Sequence, residues 1–510
     1  MKAIRHIGLS ALSLSLISCA VGPNFKTPET QAGDRYTANA LPEKTTATDV
    51  AGGAAQTFQP GGDIPAQWWT LFGSDKLQAL VEQALKANPN VEAAQATLRA
   101  AHENALASAS GLFPAIDGQL GASRQKASLA PNPGSAIYNV LNAGVNVTYN
   151  LDVFGSQRRK IESANAQAEY QRFQLEATYL SLSANVVTTA IREASLRAQI
   201  TATQKVTDAS RRQLGILQRQ FELGGVAKTD VLTQQTQLAQ LLATLPPLQK
   251  QLDQNRNLLA VLLGQLPSQP IDTQFELADL KLPENLPLSL PSKLVEQRPD
   301  VRAQEALVHS ASAQVGIATA NMLPQITISG NYGQAASNMG DLITAGSNIW
   351  SVGAGLTQPI FHAGELTHQR RAAVASYEQS VAQYRATVNV AFQNVADSLT
   401  ALAADADALK AQLEAYKAAE ASHNIAGKQF AAGGISYPAL LTTERNYQQA
   451  VIALAQAQAD RYADTAALFQ ALGGGWWNRD QDQKTDSENA APAATPSASN
   501  GNTSNAQATQ

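Results

Sequence analysis

Residues 145–153 read Val-Asn-Val-Thr-Tyr-Asn-Leu-Asp-Val, apolar at every odd position and polar at every even one. That period of two predicts a β-strand with one dry and one wet face. Residues 350–357 alternate in the same way, with small residues on one face, and residues 116–123 and 326–333 do so more weakly. Alternating segments of about ten residues suit a membrane β-barrel, although half-buried strands of soluble sheets share the pattern. Between the strands the pattern changes. Residues 156–222 contain no Pro and 1 Gly, and residues 365–432 nearly duplicate this. A helix of that length would run for about 100 Å, which no globular core shelters, so lateral coiled-coil packing is predicted.

After Gly224-Gly225 the chain returns through Leu238, Leu241, Leu245, Leu248, Leu252, Asn255, Leu259 and Leu262, spaced alternately three and four residues apart. This is a heptad seam with one polar interruption. Pro246-Pro247 falls inside it, which predicts a kink or break. The corresponding arm at 440–472 has no such pair. Ahead of each strand pair a helix is expected, over 74–111 and 290–321, ended by the following Pro.

The chain repeats itself. Asn88-Pro89-Asn90-Val91 returns as Arg298-Pro299-Asp300-Val301, and Leu112-Phe113-Pro114-Ala115-Ile116 as Met322-Leu323-Pro324-Gln325-Ile326, both offset by 210. Gln220-Phe221-Glu222-Leu223-Gly224-Gly225-Val226 returns as Gln429-Phe430-Ala431-Ala432-Gly433-Gly434-Ile435, offset by 209, and Leu262-Leu263-Gly264 as Ala471-Leu472-Gly473. The period far exceeds a solenoid repeat, so a domain-sized unit is duplicated. The first unit spans 65–270 and the second 290–477, with a linker at 271–289. Each contributes two strands and a long helical hairpin. Four strands cannot close a membrane barrel, and an open edge in lipid leaves backbone groups unpaired at a cost of several kcal/mol each. Two copies would give eight strands with a filled interior, and three would give twelve strands around a water-filled pore.

The ends set the location. Residues 1–18 form a basic start followed by a short apolar run, an export signal too short to span a bilayer. Leu16-Ile17-Ser18-Cys19 has the form of a lipobox, which makes Cys19 a lipid anchor, and Ala20 lacks the acidic signal for inner-membrane retention. Residues 19–64, rich in Pro, Gly, Thr and Ala, read as an extended anchored linker. The polar stretch 478–510 is expected to be disordered.

Composition narrows the function. A net charge of −4 argues against nucleic acid as a partner. The 1 Cys excludes disulfide frameworks and Cys-cluster metal sites. No G-x-S-x-G, H-E-x-x-H, P-loop or G-x-G-x-x-G motif occurs, and His362 and His368, six residues apart, do not share a helix face.

Residues 221–231, Phe-Glu-Leu-Gly-Gly-Val-Ala-Lys-Thr-Asp-Val, resemble the first periplasmic turn of TolC-type outer-membrane efflux factors. Cys19-Ala20-Val21-Gly22-Pro23-Asn24-Phe25, Leu245-Pro246-Pro247-Leu248 and Ala471-Leu472-Gly473-Gly474-Gly475-Trp476 resemble the lipid-anchored NodT branch. The resemblance covers residues 19–477. It implies a mixed α and β membrane protein in which a homotrimer forms a twelve-stranded outer-membrane barrel continued by a periplasmic helical barrel. It further implies docking through a periplasmic adaptor to an inner-membrane pump of the resistance-nodulation-division class, outward conduction of drugs or other small molecules, no catalytic site, and no cofactor beyond the lipid on Cys19. A periplasmic coiled-coil scaffold or adaptor lipoprotein is the alternative reading.

The resemblance places the turns at Gly224, Gly225, Val226, Gly433, Gly434 and Ile435 at the mouth that adaptors meet, with Phe221 and Phe430 packing inside the coiled coil. Asp230 matches an acidic aperture position, although an acid there also suits a helix N-terminus. Residues 435–441 carry no charge. Closure is therefore expected from apolar packing of Ile435 and Tyr437, aided by hydrogen bonds of the Tyr437 hydroxyl, with Pro438 stiffening the turn.

Overall fold

A computed structural model describes residues 20–29, 33, 35–128 and 135–479. The leader, Cys19 and residues 480–510 of the expected tail lie outside the described residues. The first unit comprises α1 (Asp75–Ala87), α2 (Pro89–Ser110), β2 (Ala115–Ser128), β3 (Ser135–Leu151), α3 (Ser156–Glu222) and α4 (Lys228–Leu262). The second repeats it as α5 (Pro291–Gln297), α6 (Pro299–Ala320), β5 (Gln325–Ala336), β6 (Asn348–Thr357), α7 (Glu365–Ala431) and α8 (Tyr437–Ala471). Two short strands, β1 (Thr57–Pro60) and β4 (Asn285–Leu288), pair in parallel. Both fall in stretches that read as linkers.

The single helices expected at 74–111 and 290–321 are each divided in two. A residue preceding Pro is pushed out of the α region, and Asn88 and Arg298 are both extended. The breaks serve the same purpose twice. The Asn88 amide donates to the Leu262 carbonyl at 2.9 Å, and Arg298 Nη1 donates to the Ala471 carbonyl at 2.9 Å. Each unit thus fastens the end of its own returning helix.

α4 runs unbroken through Pro246 and Pro247, where a kink or break was expected. Two ladder bonds are lost there. The residues that would have accepted them, Leu242 and Ala243, are exposed, so water can take their carbonyls. On either side of the pair, buried Leu241 and Leu252 hold the helix. Farther along the seam Asn255 is buried and donates to the Thr189 carbonyl of α3 at 2.9 Å, so the polar interruption is hydrogen-bonded.

β2, β3, β5 and β6 form one antiparallel sheet in that order, leaving β2 and β6 as open edges. The main core lies at mid-height of the long helices, where α1, α3, α7 and α8 meet around Trp68, Phe72, Val187, Ile191, Phe275, Leu399 and Phe469. Trp68 stacks on Phe469 with centroids 5.5 Å apart. The amino-terminal segment lies against the outside of these helices as a strap. Val21 N–H donates to the Phe154 carbonyl, Phe25 stacks on His309 at 4.4 Å, and Thr46 donates to Asp407 at 2.6 Å.

Candidate functional site

The two helical hairpins end alike. Gly224 N–H donates to the Phe221 carbonyl at 2.9 Å and Gly225 N–H to the Gln220 carbonyl at 2.8 Å; Gly433 and Gly434 do the same to Phe430 and Gln429 at 3.0 and 2.8 Å. This pair of bonds is a Schellman motif, which satisfies the last carbonyls of a helix through one left-handed residue. That residue is Gly224 in the first turn and Gly433 in the second, with φ of 77° and 75°. Gly225 and Gly434 have no positive φ.

Next to these turns a small core joins both hairpins. Leu217 of α3 packs with Ala426 of α7 and with Tyr437, Leu440 and Leu441 of α8, flanked by Val226, Val231, Phe430 and Ile435. The structure therefore brings Val226, Ile435 and Tyr437 together. Phe430 meets Tyr437 edge-on at 5.7 Å, whereas Phe221 is 42% exposed and lies outside the cluster. Tyr437 is buried, and among the described residues its hydroxyl has no hydrogen-bond partner. Burial, and then the charges of Glu444 and Asp230, pushes its phenol above the usual range. Asp230 sits at the start of α4, where its carboxylate accepts the Ala227 N–H at 3.3 Å. It caps the helix and favours the positive end of the dipole.

Above this apolar layer lies a polar one that the sequence did not signal. Ser210, Gln234, Gln237 and Glu444 are all buried. Gln234 donates to the Ser210 hydroxyl at 2.8 Å, and Arg445 Nε donates to Gln237 Oε1 at 2.9 Å, linking α8 to α4. Burial raises the Glu444 carboxyl, opposed by a hydrogen bond from Ser210 and the charge of Arg445. So α8 carries charge after all, three residues beyond the uncharged stretch 435–441. Gln234 sits seven residues before Leu241, on the continuation of the heptad seam, and that spacing was the available clue; Gln237 lies beside the seam residue Leu238.

At the opposite end of the long helices the sheet has two unlike faces. The register carries one face through Ile116, Val147, Gly330 and Val352 and, one row on, through Gly118, Val145, Tyr332 and Trp350. The intervening row, Asp117, Asn146, Asn331 and Ser351, turns the other way. Leu120, Trp350 and Val352 are 80%, 73% and 77% exposed, so among the described residues nothing covers the apolar face. A sheet greasy on one side, lined with Asn and Ser on the other and open at both edges is a section of a barrel wall. Among the described residues no helix is long and apolar enough to cross a membrane.

Known proteins share this arrangement. The sequence profile of the family described as Outer membrane efflux protein matches residues 80–265 and 290–474. The pyoverdine export outer membrane protein OpmQ of Pseudomonas putida is 27% identical over 485 residues, covering 93% of this chain and 98% of the relative. The toluene efflux pump outer membrane protein TtgC of Pseudomonas putida is 27% identical over 481 residues, covering 94% and 96%. The outer-membrane channel OprN superposes with a TM-score of 0.81 at 26% identity, over 90% of this chain and 100% of that one. The MtrE outer membrane channel of Neisseria gonorrhoeae superposes with a TM-score of 0.75 at 24% identity, over 90% and 99%. The duplicated mixed α and β fold expected from the resemblance is the fold this chain has. The chain belongs to the outer membrane efflux protein family: it is an outer-membrane channel component of an efflux system and not an enzyme.

Proposed function

We propose that three copies close into a twelve-stranded pore, that the helical end docks through its Schellman turns onto a periplasmic adaptor serving an inner-membrane pump, and that Cys19 carries a lipid. The observation that carries the reading is the four-stranded, two-faced sheet with open edges above helices about 100 Å long. Closure by like copies pairs every edge and turns the Asn and Ser rows inward around water. The lipid is supported by position. Ala20 lies against Gly155, where β3 gives way to α3 at the membrane boundary, so an acyl chain on the preceding residue would enter the adjacent leaflet.

The docking surface is best tested at Gly225 and Gly434. Both turns are exposed, and a Cβ at either position would meet nothing nearer than 3.4 Å. A bulky side chain can therefore be added without unfolding the turn. Gly225→Trp and Gly434→Trp are expected to leave trimers intact and to abolish in-cell crosslinking to the adaptor. Unchanged crosslinking in both variants would place docking elsewhere.

A further inference from the structure

A cavity of about 610 Å³ lies between α3 and the α7–α8 hairpin, above the polar layer of the tips and beneath Glu276–Ala278 of the inter-unit segment. One chain forms it entirely. Its aromatic wall comes from the second unit: Tyr447 of α8 stacks on His423 of α7 with centroids 5.4 Å apart and planes 3° from parallel, and Tyr416 lies 6.0 Å from Tyr447. The Tyr416 hydroxyl donates to Glu420 Oε1 at 2.8 Å. Glu444, only 6% exposed, also lines the cavity.

The balance of charge in this space is negative. Glu276, Glu420 and Glu444 face Lys205 and Arg197, and Arg197 is already committed to buried Glu193 at 2.8 Å. Burial lowers the His423 pKa, so the imidazole is neutral near pH 7 and adds no compensating charge. Carboxylates lining the same space as two Tyr rings suit a cation, because a ring face is electron-rich and a carboxylate in the same wall supplies the counter-charge.

We propose that this cavity binds a small organic cation, an amine carried on an apolar body, with its charge beside Glu420 and its body against Tyr447 and Tyr416. Because α3 belongs to the first hairpin and α7 and α8 to the second, an occupant touches both hairpins and favours their present spacing. The site lies above the docking turns, so it stands or falls separately from adaptor binding.

The test uses the full-length protein purified from outer membranes in detergent, with ethidium as the probe and fluorescence anisotropy as the readout. Saturable binding is expected, competed by benzyltrimethylammonium but not by benzyl alcohol. Glu420→Gln keeps the side chain's size and its capacity to accept from Tyr416, so it removes charge alone; it is expected to weaken binding on the order of tenfold, as is Tyr447→Leu. Glu82→Gln, on α1 and away from the cavity, should bind as wild type. Should Tyr447→Leu fail to fold, Glu420→Gln and the competition pair still decide the matter. Absence of saturable binding, unchanged affinity in Glu420→Gln, or equal competition by benzyl alcohol would each overturn the proposal.

Discussion

At Gly224 and Gly225 two adjacent residues of one type face different demands. Gly224 has a φ of 77°, which an L side chain enters only at a cost of about 1–2 kcal/mol, while Gly225 has no such constraint. Gly224→Ala should therefore speed proteolysis and amide exchange at the first turn, and Gly225→Ala should leave both unchanged. Equal effects would show that crowding rather than backbone handedness selects glycine there. Gly433 and Gly434 are expected to divide in the same way.

Tyr437 gives a second residue-scale prediction. Its ring fills the tip core and its hydroxyl bonds to nothing among the described residues. Tyr437→Phe should leave single-channel conductance in bilayers as it is, whereas Tyr437→Ala opens a cavity worth about 3–5 kcal/mol in a comparable core. Combined with Ile435→Ser, Tyr437→Ala should raise conductance well above Asp230→Ala, which loses a helix-end interaction of about 0.3–1 kcal/mol. If Tyr437→Phe alone opens the channel, the hydroxyl bonds to a neighbouring copy and the closure is polar.

Among the elements, the pairing of α7 with α8 carries a titration. Asp405 of α7 is half-buried against Asp464 of α8, with Asp460 and buried Arg461 nearby. Burial, a hydrogen bond shared with Asp464 and the neighbouring carboxylates push Asp405 up to about 7, with Arg461 opposing. The folded protein thus holds a proton that the unfolded chain releases near pH 4. Stability contributed by that proton is present at low pH and is lost as pH rises from about 4 to about 7. Thermal unfolding followed by circular dichroism should show this decline in wild type and a flatter profile in Asp405→Asn. A variant whose profile remains as steep as wild type would remove Asp405 from the account.

The elements differ in how far the sequence disclosed them. α3 and α7 were legible to within a residue, because Pro and Gly mark their ends and almost nothing interrupts them. The strands were recognised but shortened: β3 starts at Ser135, ten residues before the strict alternation, since cross-strand pairing extends it through Asn139 and Gly144. β1 and β4 were not legible at all. Each is four residues long and is a strand only because its partner, 228 positions away, lies alongside. The turn glycines were readable from the duplicated motif, and the apolar grouping of Ile435 and Tyr437 from the uncharged stretch 435–441. Glu444 was not, because a charged residue on a helix ordinarily faces water, and only packing against α3 and α4 puts it inside.

For the molecule as a whole, barrel closure rather than the proposed lipid on Cys19 is expected to decide where the protein resides. An acyl chain contributes about 0.8 kcal/mol per buried CH₂, but a closed barrel with a continuous apolar belt is held by many residues at once. Cys19→Ser carrying an ordinary cleavable signal is expected to fractionate with the outer membrane and to migrate by electrophoresis as a heat-modifiable oligomer. Recovery as a soluble periplasmic monomer would contradict barrel closure.

The strap at the amino terminus sets an order of events during biogenesis. Its seats are made late: Gly52 lies against Tyr462, Ala51 accepts from Gln458, and Ala54 accepts from Arg461, about four hundred residues downstream. Contacts so distant in sequence close only after the intervening chain has been exported and α8 has packed. This part of the strap is therefore the last to be seated. Until then, residues 51–54 are expected to remain open to protease after α3 has become resistant, and pulse-labelled chains sampled during export should pass through that state. Protection of the strap before the helices would reverse the sequence.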